Sequence, residues 1–311
     1  MSCRPTRCSE NLGASLLLAS VCLVACGGAQ AHAPAANDAR QSSAEHESPK
    51  DNSDSLKELR SKLASGLGGA TELNLAAKGF GPGLGALLAD SPDLAELRAL
   101  DVSDNDLGID GVRALTASTR LTQLRELDLG GNDIGDDGAS AVAHSPTLAG
   151  LETLNVSGNS IAGSGATALA QATARHLSSL DLSMNGIGES GASALARTRL
   201  PLQSLYLLGC EIGTNGVRLL AQSSSLSKLT VLALSGNNLG DEGAQALAKS
   251  ATLSSLTTLD LCANGIGDDG ALALAQSPQL KKLRVIELYG NDIGSRGAAA
   301  LKKRFGARLH L

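Results

Sequence analysis

The stretch of this sequence that most resembles a ligand site is the acidic, glycine-rich loop NGIGDDG at residues 264–270. Loops of this kind can bind calcium through carboxylates or phosphate through backbone amides. A calcium-binding EF-hand loop needs oxygen ligands at alternating positions and a glutamate at the twelfth. Counting from Asn264 puts Ile266 at a ligand position and Ala275 at the twelfth. No lysine follows the glycines as in a phosphate-binding P-loop, so the loop predicts neither site.

Other residues that could act as catalysts or metal ligands are scattered along the chain. No two of the five histidines have a metal-ligand spacing, and no G-x-S-x-G nucleophile motif is present. Cys210 and Cys262 are too far apart in the repeat pattern described below for an unstrained disulfide, and we interpret them as inert thiols. The sequence therefore predicts no enzyme activity, no metal, no cofactor and no small-molecule substrate.

The acidic loop is one copy of a motif that recurs along most of the chain. Clear copies begin at eight leucines, as in LRELDLGGNDIGDDG from Leu124, and a weaker ninth begins near Thr71. An alanine-rich run such as AQALAKS follows each copy. One anchor position recurs at intervals of 25 to 27 residues, and its occupants are Lys78, Asn105, Asn132, Asn159, Asn185, Cys210, Asn237, Asn264 and Asn291.

This motif resembles the leucine-rich repeat, whose signature is L-x-x-L-x-L-x-x-N/C-x-L, over roughly three quarters of the chain. The tail IGDDGALALA is similar to the helical class found in ribonuclease inhibitor and the Ran GTPase-activating protein. The resemblance implies an α/β solenoid shaped as a horseshoe or arc. A parallel β-sheet would line its concave face and short α-helices its convex face.

The physical pattern of the repeat agrees with that fold. In LDL the leucines flank an aspartate, so they point inward and the aspartate points outward in a strand. The anchor asparagines are predicted to be buried and to hydrogen-bond loop backbone of adjacent repeats, with Cys210 as a weak donor in the same position. Lys78 cannot be buried comfortably, which marks a degenerate first repeat. We interpret the loop carboxylates as caps of the helices that they precede.

The N-terminal residues are typical of an export signal. An apolar stretch follows Arg4 and Arg7 and ends at Cys26, and it is too short to cross a bilayer comfortably. Residues 23–26 resemble a bacterial lipobox, which implies a signal peptide over residues 1–25 and lipidation of Cys26. Glycine after this cysteine favours the outer membrane of a Gram-negative bacterium. The alternative is an ordinary secretory signal and a secreted protein.

Composition sets the remaining boundaries. Residues 26–52 are rich in alanine, serine, aspartate and proline and predict a disordered tether. Residues 53–69 predict an N-terminal capping helix, because leucines recur on one helical face. About nine repeats then form the solenoid over residues 70–301. Residues 302–311 form a C-terminal cap whose basic residues suit a helix C-terminus.

The outward positions of the predicted strands are the candidate binding surface. A net charge of −5 and a pI of about 5.6 argue against nucleic-acid binding. Five of nine outward residues between the leucines are acidic, and both tyrosines of the chain lie on this face, which suggests a protein partner with a basic surface. A solvated sheet face is the alternative. The predicted partner-binding residues are Asp101, Asp128, Asp181, Tyr206, Leu208, Asp260, Glu287 and Tyr289.

The sequence as a whole predicts a non-enzymatic protein–protein interaction module, exported and anchored in a membrane through lipid at Cys26. Two other functions stay open at this point. The resemblance to the Ran GTPase-activating protein suggests a regulator of a small GTPase. An envelope location would also suit a structural protein that binds glycans.

Overall fold

A computed structural model describes residues 53–311, and the predicted signal peptide, lipobox and tether lie outside these residues. The strands are β1 Glu72–Asn74, β2 Ala99–Asp101, β3 Glu126–Asp128, β4 Thr153–Asn155, β5 Ser179–Asp181, β6 Ser204–Tyr206, β7 Val231–Ala233, β8 Thr258–Asp260, β9 Val285–Glu287 and β10 Leu309–His310. The helices are α1 Ser53–Ala64, α2 Gly83–Asp90, α3 Gly108–Thr116, α4 Gly135–His144, α5 Gly163–Ala170, α6 Gly188–Leu195, α7 Gly213–Ala221, α8 Gly240–Lys249, α9 Asp268–Gln276 and α10 Ser295–Phe305.

The ten strands form one parallel sheet in chain order, with a helix between each of the first nine and the next strand. Each of these nine strands has leucine or isoleucine at its centre, and register pairs these residues across the sheet, as Leu100 with Leu127. Their side chains and those of the helices form one continuous aliphatic core. The predicted α/β solenoid is therefore confirmed.

Strand alternation produces the core directly from the repeat. Leu100 and Val102 are buried, whereas Asp101 between them stays partly exposed. Burying a leucine or valine side chain stabilises a fold by about 1.5–3 kcal/mol, so each repeat adds a thin layer of comparable stability. Alanines such as Ala139 and Ala143 face the core from the helices, and their small volume allows neighbouring helices to pack closely.

The glycine that ends each loop has a packing function. A Cβ atom at Gly138 would lie 2.6 Å from Cβ of Ile134, and one at Gly297 would lie 2.8 Å from Cβ of Ala271 in the preceding helix. A side chain at this position would therefore collide with the apolar residue of the loop and with the neighbouring helix. This close packing explains why glycine recurs here.

The loop carboxylates cap helices, but not the helices that were predicted. Asp136 lies in the first turn of α4, yet its Oδ1 accepts the backbone N–H groups of Ala162 and Gly165 at the start of α5, at 2.7 and 2.9 Å. Asp241 and Asp268 likewise accept N–H groups at the starts of α9 and α10. Capping of the residue's own helix was wrong, because a parallel solenoid places each helix start beside the preceding loop.

Both ends of the described solenoid are covered. Helix α1 contributes buried Leu59 and Leu63 at one end. At the other end Phe305 is buried, and the C-terminal cap adds β10, whose Leu309 pairs with Ile286 of β9. The cap therefore provides a tenth strand that the repeat count did not predict.

Candidate protein-binding face

The side of the sheet opposite the helices carries two rows of side chains, which together we name the outer face. The first row holds the last residue of each of β1–β9, namely Asn74, Asp101, Asp128, Asn155, Asp181, Tyr206, Ala233, Asp260 and Glu287. The second row lies two residues further on, namely Ala76, Ser103, Gly130, Ser157, Ser183, Leu208, Ser235, Cys262 and Tyr289. All eight predicted partner-binding residues belong to these rows.

The first-row carboxylates of β2, β3 and β5 are used within the fold. Asp101, Asp128 and Asp181 each accept, through Oδ1, the backbone N–H two residues later, at 2.8–3.0 Å. Asn155 and Asn74 make the same turn, and their amides donate to Oδ2 of Asp128 and Asp101. This part of the row is a hydrogen-bonded ladder, so its acidity has a structural explanation.

The negative charge of the carboxylates in this ladder is not balanced by ion pairs. Burial raises the pKa of Asp181, although hydrogen bonds from Ser183 oppose the shift. Burial also raises the pKa of Asp128, and the nearby Asp101 and Asp181 raise it further. No arginine or lysine forms an ion pair with these three carboxylates among residues 53–311. A cationic group brought to this surface would relieve the repulsion.

Two of the predicted acidic residues are less available than expected. Asp260 is only 4% exposed, and its Oδ1 accepts the backbone N–H of Cys262. Its assignment as a partner-binding residue stays a prediction, but a carboxylate this deeply buried offers little surface to a partner. Glu287 lies 2.7 Å from Nδ1 of His310 in β10, so this side chain already has a partner within the chain.

The outer face changes character at β6 and β7. Tyr206 and Leu208 are half-buried and Ala233 is buried, so three adjacent positions are apolar. Met184, in the loop after β5, is 63% exposed, and its Sδ would lie 3.1 Å from a Cβ atom at Gly209. We name Met184, Tyr206, Leu208 and Ala233 the apolar patch.

Sequence reasoning identified Tyr206 and Leu208 but missed Met184. This residue has φ of 57°, a left-handed conformation that is rare for a long side chain. In other repeats the corresponding loop position is often glycine, as at Gly158 and Gly236. A methionine at a position that favours glycine was the available signal.

The anchor ladder shows the same change at the same repeat. In a typical repeat, Oδ1 of Asn132 accepts the N–H groups of Asn105 and Leu107, and Nδ2 donates to three carbonyls, those of Val102, Leu129 and Gly130. At the sixth repeat Cys210 replaces the asparagine. Its Sγ donates to the carbonyl of Leu182 at 3.2 Å, and its N–H donates to Oδ1 of Asn237.

Burial raises the pKa of Cys210 to about 12. The side chain is therefore a thiol at neutral pH and a weak nucleophile.

On β6 and β7, the hydrogen-bond acceptors that first-row aspartates supply in other repeats are only partly replaced. Tyr206 cannot form the turn made by first-row aspartates, and the N–H of Leu208 donates instead to Oγ of Ser183 at 3.2 Å. Ser235 is 2% exposed, and among the described residues its Oγ is the one buried side-chain N or O atom without a hydrogen-bond partner. A buried polar group without a hydrogen bond lowers the free energy of unfolding by about 1–3 kcal/mol.

Within residues 53–311, no group of three or more histidine, cysteine, aspartate or glutamate side chains could hold a metal ion. No helix in the same range is long and apolar enough to cross a membrane.

Comparison with known families identifies the family of the repeats. A family model described as "Leucine Rich repeat" matches residues 96–115, 121–143, 151–170, 173–196, 225–248, 252–275 and 279–302, together about half of the chain. The chain belongs to the leucine-rich repeat family. Repeats of this family typically serve as protein-interaction modules. The matches omit residues 197–224, which contain β6, Leu208 and Cys210.

Two solved structures are among those similar to this chain. One is the leucine-rich-repeat ectodomain of the Arabidopsis receptor kinase HAESA in complex with an N-terminally extended IDA peptide hormone. It has 23% identity and a TM-score of 0.42, over 67% of this chain and 32% of that chain. The other is the yeast Rad7 and Elc1 complex, with 15% identity and a TM-score of 0.42, over 81% of this chain and 79% of that chain. A comparison with curated proteins finds none that matches.

The chain thus spans about a third of the length of the HAESA ectodomain.

Proposed function

We propose that this leucine-rich repeat protein is a non-enzymatic binding module whose apolar patch holds a protein partner. One observation carries the proposal: the sixth repeat departs from the pattern in both outer rows and at the anchor. Tyr206 and Leu208 replace polar residues, and Cys210 replaces asparagine. These substitutions give up regular hydrogen bonds and expose apolar surface. Half-exposed aromatic and methionine side chains are typical of interface centres.

The surroundings of the patch indicate the chemistry of the partner. Burial raises the pKa of Tyr206, and the charge of Asp181 raises it further. Asp181 pairs in register with Tyr206, so a carboxylate lies directly beside the aromatic ring on the neighbouring strand. A partner segment with an apolar side chain next to lysine or arginine would fill the patch and neutralise this carboxylate.

A comparison of two variants tests the proposal. Tyr206→Ser combined with Leu208→Ser removes the apolar patch, and Ser103→Ala combined with Ser157→Ala is the matched control on the polar part of the outer face. Each chain is used to capture proteins from its native extract, and bound proteins are quantified by mass spectrometry. Partners should be retained by the control and weakened at least tenfold by the patch variant. Equal retention by both variants would contradict the proposal.

We further propose that the module is exported and anchored through Cys26, with repeats of the helical class that resembles ribonuclease inhibitor. The lipobox-like residues 23–26 and the apolar stretch before them support the anchor, and helices of 8 to 11 residues between strands support the class. Mass spectrometry of the mature N-terminus tests the anchor. A lipid-modified cysteine as the first residue is expected, whereas residues retained upstream of Cys26 would exclude it.

A further inference from the structure

The last repeat has a charge opposite to that of the chain as a whole. Between residues 281 and 308 there are two carboxylates, Glu287 and Asp292, in a chain of net charge −5. The same range holds eight of the 26 basic residues, namely Lys281, Lys282, Arg284, Arg296, Lys302, Lys303, Arg304 and Arg308. This concentration of positive charge is a local property of one end of the solenoid.

Two of these arginines hold the basic segments together. Arg304 of α10 donates to the carbonyls of Ala275 and Leu280, at 2.9 and 3.3 Å. Arg308 donates to the carbonyl of Leu283 at 2.9 Å. Both guanidinium groups lie over the ring of Phe305, 5.1 and 5.8 Å from its centre. The loop before β9 and the end of α10 are therefore fixed beside each other.

Five other cations on these two segments are available. Their side chains are exposed, and no ion pair links them to any residue in the described part of the chain. They are Lys281, Lys282, Arg284, Lys302 and Lys303, which we name the basic edge. Since the two segments are fixed together, the residues of the basic edge lie on adjacent segments at one end of the solenoid.

Apolar side chains are exposed at the same end. Tyr289 and Leu311 are 42% and 44% exposed, and they are two of the four exposed large hydrophobic residues in the described range. They line a shallow cleft of about 430 Å³ together with Ala298, Ala299, Leu309, Gly306, His310 and Lys302. An apolar cleft with a lysine at its rim fits a ligand that combines negative charge with apolar surface.

We propose that the basic edge and Tyr289 dock this end of the protein on an anionic lipid surface. Lysine side chains are attracted to anionic headgroups, and tyrosine favours the boundary between headgroups and acyl chains. The acidic remainder of the chain is repelled by such a surface, which confines contact to the last repeat. A nucleic acid would match the charge but not the apolar cleft. This docking does not depend on lipidation of Cys26.

Vesicle binding by the full chain tests this docking. The background substitution Cys26→Ser removes the acceptor for lipid, so every chain compared has the same N-terminal segment. One variant carries Lys281→Glu, Lys282→Glu, Lys302→Glu and Lys303→Glu. The matched control carries Lys62→Glu, Lys78→Glu, Lys228→Glu and Lys249→Glu, which changes net charge equally at exposed sites elsewhere. Binding is measured by co-sedimentation with vesicles of phosphatidylcholine, with and without phosphatidylglycerol.

Reversal of the basic-edge lysines should weaken binding to anionic vesicles at least about a hundredfold, while the control changes it far less. Tyr289→Ser should weaken vesicle binding severalfold and leave binding to soluble polyglutamate unchanged. Equal losses in the two lysine variants would overturn the proposal, as would binding that ignores phosphatidylglycerol. If Tyr289→Ser changed neither vesicle binding nor polyglutamate binding, the proposal would be overturned, and an acidic protein would replace the lipid surface as the ligand of the basic edge.

Discussion

The outer faces of β2–β5 and of β6–β7 have the same backbone arrangement, but they differ in what accepts the backbone N–H two residues after each first-row side chain. On β2–β5, each first-row side chain accepts the N–H two residues later, as Asp101 does for Ser103. On β6 that acceptor is replaced by Ser183 of the neighbouring repeat, and on β7 Ala233 offers none. Polar side chains thus complete the hydrogen bonds of the first region. The second region exposes more apolar surface and forms fewer internal hydrogen bonds.

This difference shows where the solenoid tolerates a change of surface. Each repeat contacts only its neighbours, so a deviation in one repeat leaves distant repeats unaffected. The sixth repeat combines a changed anchor, a changed surface and the shortest spacing to its predecessor, from Asn185 to Cys210. The proposed function therefore assigns stability and binding to different repeats, and substitutions can test this separation.

The largest expected effect is the loss of a regular anchor. Asn132→Ala removes one acceptor of two N–H groups and one donor to three carbonyls in a buried loop. We expect the free energy of unfolding to fall by about 3–5 kcal/mol, because several buried groups lose their partners. Urea unfolding followed by circular dichroism measures this change.

Cys210→Ala is the matched substitution at the divergent repeat. Its thiol donates weakly to the carbonyls of Leu182 and Leu208, at 3.2 and 3.6 Å, so the expected loss is about 1 kcal/mol. Similar losses for Asn132→Ala and Cys210→Ala would show that the sixth repeat is as tightly bonded as the others, and the comparison would fail.

Much of the fold could be predicted because its determinants are local. The leucine spacing and the anchor asparagines define each strand and loop within about a dozen residues, so alternation alone places Leu100 inside and Asp101 outside. Strand β10 could not be predicted in this way. Its two residues carry no repeat signature and become a strand only by pairing with Ile286 and Glu287.

The candidate site was predicted less completely, because exposure depends on neighbours that are distant in sequence. The outward direction of Asp260 was correct, but adjacent repeats leave it 4% exposed. Asp136 and Gly165 are 29 residues apart, and only the stacking of repeats brings the carboxylate to that helix start. Met184 could not be predicted from strand alternation, because it lies in the loop after β5.

A smaller effect, with a defined pH dependence, is expected in the hydrogen-bonded ladder of the first region. Asp181→Asn keeps an oxygen for the N–H of Ser183, as Asn155 does in the same row. Burial raises the pKa of Asp181 in the folded state, so folding favours the protonated form and stability falls as pH rises through the acidic range. The variant should therefore be more stable by up to about 1 kcal/mol at neutral pH and lose this advantage below the unfolded-state pKa.

Asp136→Asn is the control, because its expected change in stability at neutral pH has the opposite sign. Burial alone would raise the pKa of Asp136, but hydrogen bonds from Ser164, Ala162 and Gly165 outweigh it and lower the pKa. The wild-type carboxylate therefore stabilises the fold at neutral pH, and this contribution disappears as pH falls through its folded pKa. Unfolding measured across the acidic range distinguishes the two. A pH-independent difference for Asp181→Asn would contradict the burial argument.

The smallest effect sharpens the comparison at a single hydroxyl. Ser235→Ala removes the buried Oγ that has no partner among the described residues, so stability should stay constant or rise by a few tenths of a kcal/mol. Ser183→Ala removes the acceptor for the N–H of Leu208 and should lower stability by about 0.5–1.5 kcal/mol. Thermal unfolding of both variants measures the contrast. A clear loss for Ser235→Ala would mean that its hydroxyl is bonded in the free protein, and the second region would then be as fully satisfied as the first.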